Sequence, residues 1–212
     1  MEIKKLQDYI ESLIPTSEGI FKEMEEYAAA NGVPIMEPAG LEAMLQILRI
    51  CQPRTILEVG TAIGYSALRM VDSLPDAMVI TIERDQERCK LAKENIDKAC
   101  RNKQVVLLEG DALEMGEAVS KYAPYDVIFI DAAKGQYRKF FEMYEPFLQS
   151  KGMIITDNVL FKGLVAETDI EHKRTKKLVE KINQFNRWLA GHPGYDTIII
   201  PSGDGIAVSR KR

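Results

Sequence analysis

The run ILEVGTAIGY, Ile56 to Tyr65, decides the fold. It starts as a short apolar strand, passes through an acid, Glu58, and turns through Gly60-Thr61-Ala62-Ile63-Gly64. A nicotinamide-type fingerprint would carry a third glycine and a pyrophosphate to cradle. Only two glycines stand here, so the turn alone does not say what it holds. Working outward, the chain after Pro53 alternates strand and helix. TILEV, MVITIE, QVVLLE, YDVIFID and GMIITD are short, apolar and each followed by a helical stretch. Continuously apolar strands are buried on both faces, which predicts a parallel sheet covered by helices.

The end of the chain breaks that rule. After a helix over 174–190, YDTIIIP and GIAVSRK are separated only by Ser202-Gly203-Asp204. No crossover helix fits there, so these two strands are antiparallel. The prediction is an α/β, doubly wound, mostly parallel seven-stranded sheet with one reversed strand, and the hairpin counts against a dehydrogenase. Before the sheet, Ile3, Leu6, Ile10 and Leu13 recur at helical spacing up to Pro15. A second helix is expected over 17–30, stopped by Asn31-Gly32, and a third over 39–50.

The 212 residues suit one domain, with helices over 1–50 and the sheet over 54–212. With 46% hydrophobic and 28% charged residues, the composition is that of a soluble globular chain. A net charge of -4 gives no global pull toward nucleic acid but leaves room for a local basic patch. Cys51, Cys89 and Cys100 have no metal spacing and read as reduced thiols of a cytoplasmic protein. The charged, interrupted start MEIKKLQDYIESLIP is neither a signal peptide nor a membrane span.

In open α/β sheets, ligands bind beyond the carboxyl ends of the strands. The first strand ends at Glu58-Val59-Gly60, the second at Glu83 and the third at Gly110-Asp111-Ala112. An acid at Glu83 can accept from both ribose hydroxyls, and Asp111 can receive an adenine amine. Each could be an ordinary turn residue, but the ordered set points to a nucleoside-containing cofactor. The fourth strand ends at Asp131 and the fifth at Asp157-Asn158. Neighbouring strands lie ~4.8 Å apart, so their ends bring two carboxylates and an amide oxygen together. Three hard oxygen ligands suit Mg²⁺; two helix-capping acids are the plainer alternative.

ILEVGTAIGYSALRM, TIERD, LLEGDA, FIDAAKGQY, ITDNVLFKG and the closing PSGDGIAVSRK together resemble the class I, metal-dependent O-methyltransferases of the catechol and caffeoyl-coenzyme A type. The resemblance covers nearly the whole chain and implies S-adenosylmethionine as cofactor, with Mg²⁺. It puts Glu58 and the turn Gly60 to Gly64 near the methionine part, with Ser66 at the start of the next helix. It also puts Glu83 on the ribose, the loop around Met36 over the cofactor, and Asp131, Asp157 and Asn158 on the metal. Lys134 takes the role of base, and Asp204 falls near the substrate mouth, although Asp-Gly is itself a strong hairpin signal. The family's homodimers imply a homodimer here, with the N-terminal helices as contact.

Two acceptors fit two adjacent oxygens. Residues 9–50 are similar to a bacterial branch, the tRNA 5-hydroxyuridine methyltransferases that make 5-methoxyuridine at the anticodon wobble position (U34). Arg138, Lys162, Lys173 and Arg174, with Lys176 and Lys177, can hold phosphates of the anticodon stem-loop, although such a run is often only a solvated helix face. The alternative is a small-molecule enzyme acting on catechols or caffeoyl-CoA-like phenols.

Overall fold

The protein is described from a computed structural model that covers the backbone of residues 3–212 and side chains from Lys5 onward. The side chain of Ile3, part of the first helical pattern, lies outside the described residues. Three helices come first: α1 (Ile3–Ser12), α2 (Gly19–Asn31) and α3 (Pro38–Cys51). Helix α2 stops where Gly32 turns left-handed at φ 64° and its N–H donates to the Ala28 carbonyl. Helix α3 starts on Pro38, where a missing N–H removes no helical bond.

The alternation then runs β1 (Thr55–Val59), α4 (Tyr65–Ser73), β2 (Met78–Glu83), α5 (Gln86–Lys98), β3 (Val105–Glu109), α6 (Gly116–Ser120), β4 (Tyr125–Ile130), α7 (Tyr137–Tyr144), β5 (Leu148–Thr156), α8 (Lys173–Ala190), β6 (Tyr195–Ile200) and β7 (Ile206–Lys211). The sheet order is β3-β2-β1-β4-β5-β7-β6. Strands β3 to β5 pair in parallel, and β7 alone is reversed, antiparallel to β5 on one side and β6 on the other. Strand β5 begins earlier than GMIITD implies. Its first residue, Leu148, pairs with Tyr125 of β4, and the register shifts before Val127 pairs with Met153.

Alternation sorts the sheet into two cores. Ile56, Val79, Val127, Phe129 and Ile155 face α3, α4 and α5, meeting Leu45, Leu48, Leu68 and Ile96. Leu57, Ile80, Ile128, Ile130 and Ile154 face α6, α7 and α8, meeting Val119, Phe141, Phe185 and Leu189. Both faces are dry, so the strands read as unbroken apolar runs. Truncating one of these Leu or Ile side chains to Ala costs about 2–5 kcal/mol.

The topology also creates the crevice. From β1 the chain winds outward through β2 and β3, then returns to the other side of β1 as β4. The switch point lies between the carboxyl ends of β1 and β4. Gly60 sits there with φ 108°, and a Cβ on it would collide with the Asp131 carbonyl. Only glycine permits both that conformation and that approach.

Candidate active site

A cavity of about 340 Å³ opens at this switch point, within the range of small-ligand sites. Its walls come from the segments at the carboxyl ends of four strands, β1 to β4, and from the loop before α3. Met36, Gly60, Ser66, Glu83, Asp111, Ala112, Asp131 and Lys134 all line it, so eight predicted residues share one space. Of the predicted cofactor and metal residues, Glu58, Gly64, Asp157 and Asn158 do not line it. Glu58 is fully buried behind the wall, and Gly64 caps α4 at φ 85° with its face against Ala92.

At one end Glu83 is fixed by three backbone donors: Ala62 N–H at 2.9 Å, Arg84 N–H at 2.9 Å and Asp85 N–H at 3.0 Å. The first ties the acid to the glycine turn, so ligand-facing turn and acid move together. Asp111 accepts from Leu113 N–H at 3.0 Å and Arg84 at 3.2 Å, which hold its carboxyl below the usual range. Behind the wall, burial pushes Glu58 up to about 7, although Ser66 and Thr81 both donate to it at 2.5 Å. Desolvation thus outweighs two hydrogen bonds.

At the other end the strand tips gather the acids. Asn158 Nδ2 donates to Asp131 Oδ1 at 3.0 Å and to Asp157 Oδ2 at 2.9 Å. Tyr137 Oη donates to the Asp157 carbonyl at 2.9 Å and fixes the strand end from below. Asp157 is buried, and desolvation with the charge of Asp131 pushes it up to about 8. Asp131 keeps some solvent contact but is densely surrounded, and is raised for the same first reason. Two such acids close together cannot both ionise cheaply without a cation between them.

That set fits a hard divalent ion. Among the described residues no three His, Cys, Asp or Glu gather as a metal group. Two carboxylates and an amide remain, and a half-turn of Asn158 exchanges its nitrogen for oxygen facing both acids. Asn158 is also left-handed at φ 61°, a conformation that Asn tolerates. Lys134 is lowered by burial, which outweighs the opposing pull of Asp131, Asp157 and Asp204. Its Nζ lies 5.8 Å from the centre of the Phe161 ring.

The predicted substrate residues separate. Asp204 Oδ1 accepts from the Lys162 N–H at 3.1 Å, while its carbonyl accepts from Leu160 N–H at 2.8 Å. It fastens the loop after Asn158, where Phe161 and Lys162 are left-handed at φ 44° and 56°. Arg138 turns away, pairing with Glu142 at 2.8 Å and lying 5.0 Å over Trp188. Lys173 and Arg174 are exposed on the first turn of α8. Further along α8, Asn183 and Asn186 donate to the Val165 and Val159 carbonyls, so the basic turn projects past these anchors.

The residues the sequence did not single out include Thr61, Tyr65, Arg88 and Phe140 in the wall, and Glu37 at the mouth. Thr61 and Tyr65 stood inside the opening run and could have been read from it. Glu37 is raised by burial and by the charge of Asp204, a proximity that arises only when the loop before α3 meets the 202–205 turn.

An open sheet of this order, with its seventh strand reversed and a cavity at the switch point, is the class I methyltransferase fold. A sequence profile of the O-methyltransferase family matches residues 12–212, and the chain belongs to that family: it is an S-adenosylmethionine-dependent O-methyltransferase. It is 30% identical to a catechol O-methyltransferase of Niastella koreensis over 97% of this chain and 96% of that one. A proposed caffeoyl-CoA O-methyltransferase from Staphylococcus aureus superposes with a TM-score of 0.88 at 38% identity, covering 99% and 98% of the two chains. An O-methyltransferase from Bacillus cereus, solved with S-adenosylhomocysteine, gives a TM-score of 0.83 at 25% identity, covering 98% and 97%.

Proposed function

We propose that the enzyme is Mg²⁺-dependent and methylates 5-hydroxyuridine at the wobble position of the tRNA anticodon, giving 5-methoxyuridine. The observation that carries the metal-assisted chemistry is the meeting of Asp157 and Asn158 with Asp131, which lines the cavity together with Lys134. The RNA part rests on the similarity over residues 9–50 and on the basic tip of α8. Lys173, Arg174, Lys176 and Lys177 occupy the first turns of that helix with no acid among them, the reverse of what the helix dipole favours. Such an arrangement costs stability locally and suits phosphates.

In this reading Glu83 accepts from the ribose hydroxyls, Asp111 and Ala112 meet the base, and the loop at Met36 closes over the cofactor. Asp131, Asp157 and Asn158 hold the cation. S-adenosylmethionine supplies an electrophilic methyl group, and Mg²⁺ supplies positive charge beside the acceptor oxygens. Lys134, kept neutral more readily by its burial, takes the acceptor hydroxyl proton on Nζ. The resulting ammonium sits against the Phe161 ring, which tolerates a cation. The cavity wall holds donor and acceptor in line, and no covalent enzyme intermediate is needed. A second copy of the chain covers the apolar face of α1.

A second reading, O-methylation of catechols or caffeoyl-CoA-like phenols, has the names of the relatives behind it and the acids Glu37 and Asp204 at the mouth, which do not attract phosphate. One assay separates the two. Labelled S-adenosylmethionine is offered with tRNA carrying 5-hydroxyuridine and an equal concentration of a catechol, with Mg²⁺ or with excess chelator. Chelator-sensitive 5-methoxyuridine formed far faster than methylated catechol is the expected result, with Asp157→Ala lowering the rate by at least about 100-fold. Fast catechol turnover with silent tRNA moves the function to the small-molecule reading. Full activity in chelator removes the metal from both.

A further inference from the structure

Asn158 is left-handed at φ 61°, and the loop it opens turns left-handed again at Phe161, Lys162 and Gly163, with φ 44°, 56° and 78°. Outside glycine such backbone is disfavoured and relaxes unless its peptide planes are held from outside. Around Asn158 they are held. The Asp157 carbonyl accepts from Tyr137 Oη at 2.9 Å. The Val159 N–H donates to the Gly205 carbonyl at 3.0 Å. The next peptide is gripped at both ends. Its Leu160 N–H donates to the Asp204 carbonyl at 2.8 Å, and its Val159 carbonyl accepts from Asn186 Nδ2 at 2.7 Å. The Gly205 and Asp204 bonds come from the β6–β7 hairpin, whereas the Asn186 bond comes from α8. Asn183, at i and i+3 with Asn186 on one face of that helix, repeats the bond at the far end of the loop, on the Val165 carbonyl at 3.1 Å.

Asn186 fills its place at a cost. Its Oδ1 is buried and meets no donor. Turning the amide over would set Oδ1 against the Val159 carbonyl, two acceptors with no proton between them, so the nitrogen is locked toward the loop. A buried acceptor without a donor destabilises the fold. The buried positions around it on α8, Ile182, Phe185 and Leu189, are apolar, and one more apolar side chain would pack there without leaving an orphan. Packing therefore does not account for an amide here. The donor that it presents to Val159 does.

We propose that Asn186 is a positioning residue for the metal site: its bond to the Val159 carbonyl fixes the backbone of Asn158, so that the Asn158 amide stays in reach of Asp131 and Asp157 when its oxygen replaces its nitrogen. The inference rests on the metal reading above, in which those three residues hold the cation. Without a cation, Asn158 donates to both acids. A hard ion asks for the opposite face of the same amide. That half-turn keeps the ligand in place only if the backbone beneath it does not move. Asn186 lines no part of the cofactor cavity, so its effect is confined to the metal end.

The test is binding of Mn²⁺, a hard divalent ion that oxygen ligands accept, read from the loss of the free-ion signal in electron paramagnetic resonance. S-adenosylhomocysteine binding is measured on the same proteins by calorimetry. Wild type is compared with Asn186→Leu, which keeps the bulk and removes the donor, and with Asn183→Leu, which cuts the matching bond at the far end of the loop. Asn186→Leu should raise the Mn²⁺ dissociation constant by about tenfold, the size seen when a partner behind a metal ligand is lost. It should leave S-adenosylhomocysteine affinity unchanged, and Asn183→Leu should leave both unchanged. A merely structural role would lower both affinities together.

Unchanged Mn²⁺ affinity in Asn186→Leu overturns the proposal. So does an equal loss in Asn183→Leu, or an equal loss of S-adenosylhomocysteine binding, because α8 would then support the whole site without a special role for Asn186. Should Asn186→Leu not fold, Asn186→Ser, too short to reach Val159, takes its place in the same comparison. Asp157→Ala separates this failure from that of the metal reading. If it binds Mn²⁺ as wild type does, the three residues are not the metal site and the reading beneath the proposal falls. If it loses Mn²⁺ while Asn186→Leu does not, the proposal alone falls.

Discussion

At the scale of single residues, burial dominates the chemistry. Glu58 has an ordinary carboxyl value of 4.5 and stands at about 7 in the fold. Folding therefore takes up a proton between those values. The extra stability is complete below pH 4.5 and is lost as pH rises through about 7, a decline on the order of 3 kcal/mol. Urea melts of wild type and Glu58→Gln at pH 5 and pH 8 should show wild type losing more stability than the variant, and parallel losses would mean that the acid is solvated. Legibility at this scale follows the chain geometry. Asp131 and Asp157 could be read as a pair because both end neighbouring parallel strands, and strand spacing alone sets their distance. The hydrogen bonds of Ser66 and Thr81 to Glu58 could not. Thr81 reads as one more β-branched residue in an apolar run, and only the β1–β2 register, Glu58 opposite Thr81, makes it a partner.

At the scale of elements, α8 carries a contradiction between stability and use. Its buried stripe, Val179, Ile182, Phe185 and Leu189, anchors it to the sheet, while its first turn carries Lys173 and Arg174 against the helix dipole. Replacing both with Glu should raise the melting temperature slightly, since each favourable terminal charge contributes about 0.3–1 kcal/mol. The same variant should weaken tRNA binding and flatten its salt dependence. Both effects together are expected; stabilisation with unchanged RNA affinity would leave the tip as a solvated helix end. The helix and its basic run were plain in the sequence. Which side chains leave the run was not. Arg138 reads as a phosphate ligand beside Lys134, but one helical turn directs it over Trp188 and onto Glu142. Helix periodicity fixes such directions only once the neighbouring helix is in place.

At the scale of the whole molecule, the sheet order and its reversed strand were legible because a three-residue connection forbids a crossover. The packing of the N-terminal helices was less so. Leu6, Tyr9 and Ile10 on α1, with Leu13 just beyond it, recur as a core stripe would, yet they are 42%, 60%, 43% and 64% exposed. With the proposed second copy on that face, Tyr9→Glu together with Leu13→Glu should halve the mass seen by light scattering at micromolar concentration. A wild-type protein that is already monomeric there would leave α1 without that role. No helix among the described residues is long and apolar enough to cross a membrane.

The loop after Asn158 has a wider consequence. Val159 and Leu160 are pinned to the 202–205 turn by two backbone bonds, 3.0 and 2.8 Å, with the Asp204 carboxylate on Lys162 as a third tie. Gly205 is held so close to Leu160 that no side chain fits. On the proposed reading, the stretch that frames the acceptor is a cassette clipped onto a finished sheet at one hairpin. Rewriting that cassette would then exchange one customer for another and leave the donor's berth, built from the other strand ends, untouched.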